Sequence, residues 1–324
     1  MRVRLNASPF VGPEYYRGWL EEFGQKYDPF VVAVENAGRL VAIASWARRG
    51  PLVMSVSGRA GIAGELLASE ENAAEVWLEV LKASLPRGVP RLIVVPHAPS
   101  EPSGLEGALF AAQTLGLHAA AWPRFVRHRL RLVGDTLDAH LARWDPKRRQ
   151  YLRRSERRLD EMGSVTIRRV SASEGYATVC SLHLRQWSAD ESIHAIHSQA
   201  GQRLDRRLYA SCPSEVLLLE VDDRPVAAGL WLDSGGLRVF QYLVRDTTIT
   251  HVSPGELLHY HVVRLAFEDD MLALDTMGAG GNKQRLGIPA QTGYEVAIGR
   301  GASGRALIAA RATQLKVKAF RSSS

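Results

Sequence analysis

The sequence predicts an α/β (α+β) chain built as a tandem of two related domains, because one structural pattern occurs twice and the chain is long enough for two cores. Residues 30–46 read FVVAVENAGRLVAIASW and residues 216–231 read VLLLEVDDRPVAAGLW. Each is an apolar run, a turn of Asp, Asn or Gly type beside a basic residue, and a second apolar run, the pattern of a β-hairpin. The same succession follows each hairpin: a loop-rich stretch, an amphipathic helix (72–85; 254–268) and a strand (RLIVVP, 91–96; MLALDTMG, 271–278). A repeated β-β-loop-α-β unit implies two domains of common plan. With 324 residues, 46% of them apolar, the chain is long for one hydrophobic core and sufficient for two. The expected division is a first domain over 1–133, a connecting helix over 134–164 and a second, catalytic domain over 165–324.

Composition narrows the classes. No apolar run is long enough to cross a bilayer, and the start, MRVRLNASPF, lacks the apolar stretch of a signal peptide, so no membrane span and a cytoplasmic location are expected. The two cysteines, Cys180 and Cys212, fall in different predicted elements at no metal or redox spacing, and are read as free thiols. His194 and His197 share a helical face but have no third ligand nearby, and His259 and His261 flank an apolar helix stripe as edge-of-core residues. No metal is expected. His251, just ahead of a helix start, is the histidine most exposed to substrate on this reading.

In the first repeat, the loop SGRAGIAGE (57–65) serves either a flexible crossover or a backbone cradle. The connecting helix carries most of the net charge of +7: from Arg143 to Arg169 there are ten basic residues against four acidic ones. Asp145 and Pro146 make a helix start and Gly163 a stop, so a helix runs from about 146 to 162. Leu152, Ser155, Leu159 and Met162 form its buried stripe, and Arg149, Arg153 and Arg157 stack at i, i+4 spacing beside Arg154 and Arg158. This face either solvates the helix or binds phosphate, since guanidinium forks chelate phosphate oxygens.

Five segments in order, WDPKRRQYLRRSERRLDEMG (144–163), LHLRQW (182–187), LLLEVDDRPVAAGLW (217–231), SPGELLHYHVVRLA (253–266) and LDTMGAGGNKQRLGI (274–288), resemble the acetyltransferase-like family encoded beside bacterial cellulose and exopolysaccharide synthesis genes. More distantly the chain is similar to the Fem-type peptidoglycan aminoacyltransferases. The resemblance, over roughly 25–300, implies a tandem of two GNAT-like domains, each a mixed, mostly antiparallel, twisted sheet flanked by helices, with the chemistry in the second. It carries the family's basic helix onto Lys147 to Arg158, its Leu-His-x-x-x-Trp element onto Leu182, His183 and Trp187, and its Lys-x-x-x-Gly segment onto Lys283 and Gly287. The long helical arm of some Fem enzymes has no room here: about ten residues separate Gly163 from the helix starting near Ser173.

Acyl transfer to an amine needs a polarised carbonyl and a place for the amine proton. In a GNAT-like domain the central strands splay and the fourth, here 237–244, presents backbone N–H groups to the acyl carbonyl. Gln241, Tyr242 and Asp275 can face that gap, with Tyr242 returning a proton to the leaving thiolate and Asp275 orienting or deprotonating the amine. Their structural alternatives are strand packing for Tyr242 and a turn cap for Asp275. Ser253, Pro254, Gly255 and Glu256 read as a capping box that leaves N–H groups and the positive dipole end for an anion. A typical GNAT places a coenzyme A pyrophosphate there on an Arg/Gln-x-x-Gly-x-Gly/Ala loop, whereas RDTTITHVSPGE (245–256) has one glycine. GAGGNKQR (278–285) fits no nucleotide-loop template and is read as a Gly loop delivering Lys283 and Arg285 to an anionic substrate.

The expected protein is therefore an N-acyltransferase moving an acyl group from acyl-CoA to an amine of a small-molecule, sugar or amino-acid-like acceptor, with no tightly bound cofactor. The alternatives are a Fem-like aminoacyltransferase using aminoacyl-tRNA and a noncatalytic binder of an anionic saccharide or RNA. Catalysis is assigned to Tyr242 and Asp275, substrate binding to Lys283, Arg285, Gln241, Trp187 and His183, and donor phosphate binding to Ser253, Gly255, Arg149, Arg153, Arg154 and Arg157. The lack of a helical arm favours a small phosphorylated ligand on the basic helix.

Overall fold

The computed structural model describes residues 8–56, 67–68, 73–85, 91–98, 104–187, 195–277, 283 and 286–321. It divides into two compact units, Phe10–Phe125 with Thr292–Ser324, and Val126–Gln291 with the described residues 8–9.

The first unit opens with α1 (Pro13–Phe23) and the first predicted hairpin, β1 (Asp28–Asn36) and β2 (Arg39–Arg49). Ala37 and Gly38 turn between them with φ of 49° and 73°, the left-handed pair that a two-residue hairpin loop requires. Strand β3 (Leu52–Ser55) pairs antiparallel with β2, as does the short β4 (Leu67–Ala68). Helix α2 (Ala73–Ser84) then carries the chain to β5 (Leu92–Ala98), which lies parallel to β3, and α3 (Leu105–Thr114) follows. Trp46, Trp77, Val80, Leu81, Ile93 and Val95 fill the core of this unit.

The next strand, β6 (His118–Arg131), belongs to the second unit from Val126 on. After α4 (Leu137–Ala142) and the basic helix α5 (Pro146–Asp160) come β7 (Val165–Ser171), α6 (Ala172–Gln186) and α7 (Gln199–Ser211). The second predicted hairpin is β8 (Ser214–Val221) and β9 (Arg224–Ser234), turning at Asp222 and Asp223 with φ of 48° and 60°. Then β10 (Leu237–Arg245), α8 (Pro254–Glu268) and β11 (Ala273–Asp275) complete the unit. Strands β7 to β10 form an antiparallel meander, β11 lies parallel to β10 through the α8 crossover, and β6 pairs antiparallel with β11. Strands β8 and β9 read as apolar runs without alternation because α6 and α8 both pack on them. Arg238, fully buried on β10, bonds Asp233 of β9 and Asp269 past the end of α8 and stacks on Trp231, fastening that helix to the sheet.

The chain then returns to the first unit. Strand β12 (Ala290–Gly299) pairs antiparallel with β5, Ile298 opposite Ile93, and α9 (Gly301–Arg321) closes the chain. The units therefore depart from the expected division over 1–133, 134–164 and 165–324. The last strand finds its partner some 200 residues upstream, and the basic helix packs with α8 inside the second unit.

Three local readings are corrected as well. Met162, expected in the buried stripe of α5, is 39% exposed because the helix ends at Asp160, while Leu152, Ser155 and Leu159 are buried. The strand expected over 271–278 holds only Ala273–Asp275. The expected capping box does not form: Ser253 precedes α8 as its N-cap without a side-chain cap bond, the Glu256 backbone N–H donates to the Ser253 carbonyl instead, and the Glu256 carboxylate pairs with Arg148 of α5.

Candidate active site

Parallel pairing between β10 and β11 covers only Leu237 to Val239 opposite Ala273 to Asp275. Beyond Val239 the two strands part. At the same point the ladder with β9 slips: Phe240 lies opposite Trp231 and Tyr242 opposite Leu230, so Gln241 is the extra residue of a β-bulge. The β10 edge left by β11 lines a cavity of about 440 Å³. Its wall includes Phe240, Gln241, Leu243, Val244 and Arg245 from β10, Gln186 and Trp187 from the end of α6, and Ser253, Gly255, Glu256 and His259 from the start of α8. Thr276 and Lys283, from the chain after β11, close it. Gln186 fixes the end of α6 here by accepting the Arg245 backbone N–H at 2.9 Å.

The Lys283 ammonium donates to the carbonyl oxygens of Thr276, at 2.7 Å, and of Met277. Burial lowers its pKa to about 8, with the carboxylate of Asp275 pulling the other way. The loop that carries it turns back at Gly287, whose φ of 69° and approach to Trp144 and His140, where a Cβ would lie 3.2 Å from side-chain atoms of both, leave room for no other residue. The sequence reading valued Lys283 and Gly287 as a pair. The first lines the cavity and the second shapes the loop. Residues 278–282 and 284 and Arg285 lie outside the described residues, as do 57–65 and His194.

Behind the bulge sits a carboxylate that the sequence reading did not single out. Asp205 of α7 is buried and accepts from Tyr176 Oη (2.9 Å), Tyr242 Oη (2.9 Å) and Gln241 Nε2 (3.2 Å), and Tyr209 Oη donates to Gln241 Oε1 at 3.1 Å. Burial lifts the pKa of Asp205 to about 6 against the pull of those donors. This arrangement corrects the role expected of Tyr242. Its hydroxyl is committed to Asp205, and burial holds its pKa well above the ordinary value. Asp275 is also engaged: buried, it is ion-paired to Arg127 and accepts the Met277 backbone N–H at 2.8 Å. Of the Leu-His-x-x-x-Trp element, Trp187 lines the cavity. His183 is buried instead between the rings of His197 and Tyr242, at 5.0 and 5.8 Å.

Among the histidines, the one at the cavity is His259 rather than His251. It is fully buried, and burial together with the charges of Lys283, His128 and Arg148 lowers its pKa to about 3, so the ring is neutral. Neither ring nitrogen has a hydrogen-bond partner among the described residues. His251 is exposed, and its carbonyl accepts from Arg158 at 3.0 Å. Arg245 was also missed. The side chain of this cavity-lining cation passes 3.5 Å from the position a Gly255 Cβ would occupy, across the first turn of α8, where Ser253 and Gly255 were expected to meet an anion. The basic helix divides. Arg149 donates to the carbonyls of Leu141 and Trp144, both at 2.8 Å, which removes it from the phosphate set, while Arg153, Arg154 and Arg157 are exposed and do not line this cavity. Among the described residues no group of three His, Cys, Asp or Glu side chains is arranged to hold a metal ion.

Residues 146–284 match the acetyltransferase (GNAT) domain family, and every residue lining the cavity falls inside that span. No curated protein matches the sequence. Among solved structures, FemX superposes with a TM-score of 0.65 at 11% identity, covering 90% of this chain and 92% of that one. L-PGS from Bacillus licheniformis superposes with a TM-score of 0.57 at 12% identity, over 94% and 96% of the two chains. At such identities the likeness is one of fold, mixed sheets flanked by helices, and the match to the GNAT family model lies within the second unit.

Proposed function

We propose that the second unit transfers an acyl group from acyl-CoA to the amine of a small-molecule, sugar or amino-acid-like acceptor, in the cavity between β10 and β11. The observation that carries this reading is the parting of the two strands after Val239 together with the bulge at Gln241. An unpaired strand edge offers fixed N–H donors to a carbonyl oxygen in a space sheltered from water, the requirement for stabilising the charge that develops during acyl transfer. The amine nitrogen bonds to the acyl carbon, the bond to sulfur breaks, and the amine loses a proton.

Lys283 is the residue assigned to that proton. Its neutral form keeps a lone pair while two N–H groups donate to Thr276 and Met277, and a group titrating at about 8 is matched to an amine. His259, neutral and without a partner among the described residues, is assigned to orient substrate. Arg245 and the first turn of α8, at Ser253 and Gly255, are assigned to the donor phosphates. Asp205 supports Gln241 from behind.

A second reading, a Fem-like transfer from aminoacyl-tRNA, is favoured by the exposed guanidinium groups of Arg153, Arg154 and Arg157 and by the similarity to FemX. In that case the amine attacks the aminoacyl ester and an amide bond forms as the tRNA hydroxyl leaves. Thermal unfolding separates the readings, because any ligand selective for the folded state raises Tm. Acetyl- and longer acyl-CoAs are expected to do so, with thiol release when an amine is added. A shift with aminoacyl-tRNA and none with acyl-CoA establishes the second reading, and a shift without turnover of either donor makes the protein a binder.

A further inference from the structure

A second cavity, of about 590 Å³, lies in the same unit at the other end of α6 and α7, where β7 runs into α6 and α7 runs into β8. We propose that it is a binding site for a small organic anion with an aromatic or apolar body, distinct from the candidate active site.

The chemistry of the wall selects the ligand. Its only formal charge is Arg206, whose guanidinium stands 5.6 Å over the ring of Tyr176 and makes no ion pair among the described residues. No carboxylate lines the space. Three carboxylates on the same elements have other partners: Asp205 of α7 accepts from three donors, Glu215 of β8 pairs with Arg169, and Glu174 of α6 lies 3.8 Å from Arg168. Hydroxyls of Ser171, Ser173 and Ser214 supply neutral polar contacts. The remaining surface is the edge-to-face pair Tyr176 and Tyr209, with ring centroids 5.1 Å apart, and the methyl groups of Ala172, Ala177 and Ala210. Arg206, exposed at the mouth and without a carboxylate partner among the described residues, stands beside aromatic and methyl surface in a space of the size that small ligands occupy, a combination that takes a phosphate or carboxylate on an apolar body. The site has its own reporter in Cys212, a buried thiol on the wall, while Cys180, half-buried on α6, does not line it.

The test uses the full chain with phenyl phosphate and benzoate as probes and inorganic phosphate as the bodiless control. Tm is measured, together with iodoacetamide labelling of Cys212 and Cys180 mapped by peptide mass. Phenyl phosphate or benzoate is expected to raise Tm with concentration and, at about ten times its Kd, to slow Cys212 labelling about tenfold while leaving Cys180 unchanged. Inorganic phosphate is expected to do neither at the same concentration. Arg206→Ala should abolish both effects, and Ala210→Trp, an exposed position at the rim, should block the probe by filling the space. Failure of both aromatic anions to protect Cys212, or protection that survives Arg206→Ala, overturns the proposal. Because Arg206, Ala210 and Cys212 lie outside the first cavity, an acyl-CoA shift lost in the wild type counts against the catalytic reading alone.

Discussion

Lys283 and Asp205 are both ionisable groups whose titration is moved by burial, and each gives a prediction with a sign. If Lys283 must be neutral to accept the amine proton, turnover should rise with pH and level off above about 8. Lys283→Met should lower kcat by about a hundredfold or more and remove that inflection, with Tm held, since general acid–base groups contribute roughly 10²–10⁴-fold. A pH profile of kcat for both proteins checks it. Asp205 acts on stability. Its folded pKa of about 6 lies above the ordinary carboxylate value of 3.8, so the folded state holds a proton that the unfolded chain gives up. That stabilisation is present below pH 4 and is lost as pH rises through 6. Raising a carboxyl pKa from 3.8 to about 6 is worth about 3 kcal/mol, and the difference in unfolding free energy between wild type and Asp205→Asn should fall by an amount of that order from about pH 4 to 7, read from urea denaturation. The sequence marked Lys283 through its glycine-rich surroundings, and it misjudged Tyr242 for a physical reason. What fixes that hydroxyl is a carboxylate 37 residues away, which no local spacing reveals. His259 was missed in the same way, since helical periodicity separates buried from exposed faces but cannot mark which buried side chain borders a cavity.

Elements were more legible than residues, because hairpins, caps and periodicity are local. Both hairpins, α2, α5 and α8 lie where pattern and turn chemistry put them. The basic helix shows what a charge pattern leaves open: five arginines that look equivalent in sequence divide by what stands within reach. Arg149 closes the C-terminal carbonyls of α4 and Arg158 holds the carbonyl of His251, whereas Arg153, Arg154 and Arg157 face outward. Arg149→Ala should therefore destabilise the protein by about 1 kcal/mol, the usual worth of a lost terminal hydrogen bond, measured as a lower urea midpoint at unchanged slope. Arg153→Glu with Arg157→Glu relieves the repulsion between positions 149 and 153 but sets the new carboxylate at 157 beside Glu161 and keeps 153 and 157 like-charged, so stability should stay within a few tenths of a kcal/mol of the wild type, about the worth of such pairs. The same pair should leave the acyl-CoA shift intact while reducing the log-log salt slope of any tRNA binding by about two units. A loss of acyl-CoA binding in that variant would return these arginines to the donor site.

At the scale of the whole molecule the decisive fact is where the last strand goes. Residues 290–299 follow the second repeat directly, and proximity in the chain argues for counting them with it, as the expected division over 165–324 does. Strand pairing is a long-range choice, and here Val296 and Ile298 are buried in the first unit beside Ile93 and Val95. A fragment over 165–324 therefore carries an orphan strand and lacks β6, the neighbour of β11, along with the helix that packs on α8. A fragment over 126–291 keeps the whole sheet of its unit and every residue of the cavity. The second fragment should unfold cooperatively and retain the acyl-CoA shift, and the first should bind a dye for exposed apolar surface and show no cooperative transition. Truncating the full chain after Gln291 should uncover one side of β5 and destabilise the first unit while the cavity of the second survives. Differential hydrogen exchange reads this directly: protection should collapse across β5 and persist across β10. Lost protection in β10 alone, with β5 intact, would place the last strand with the second repeat after all.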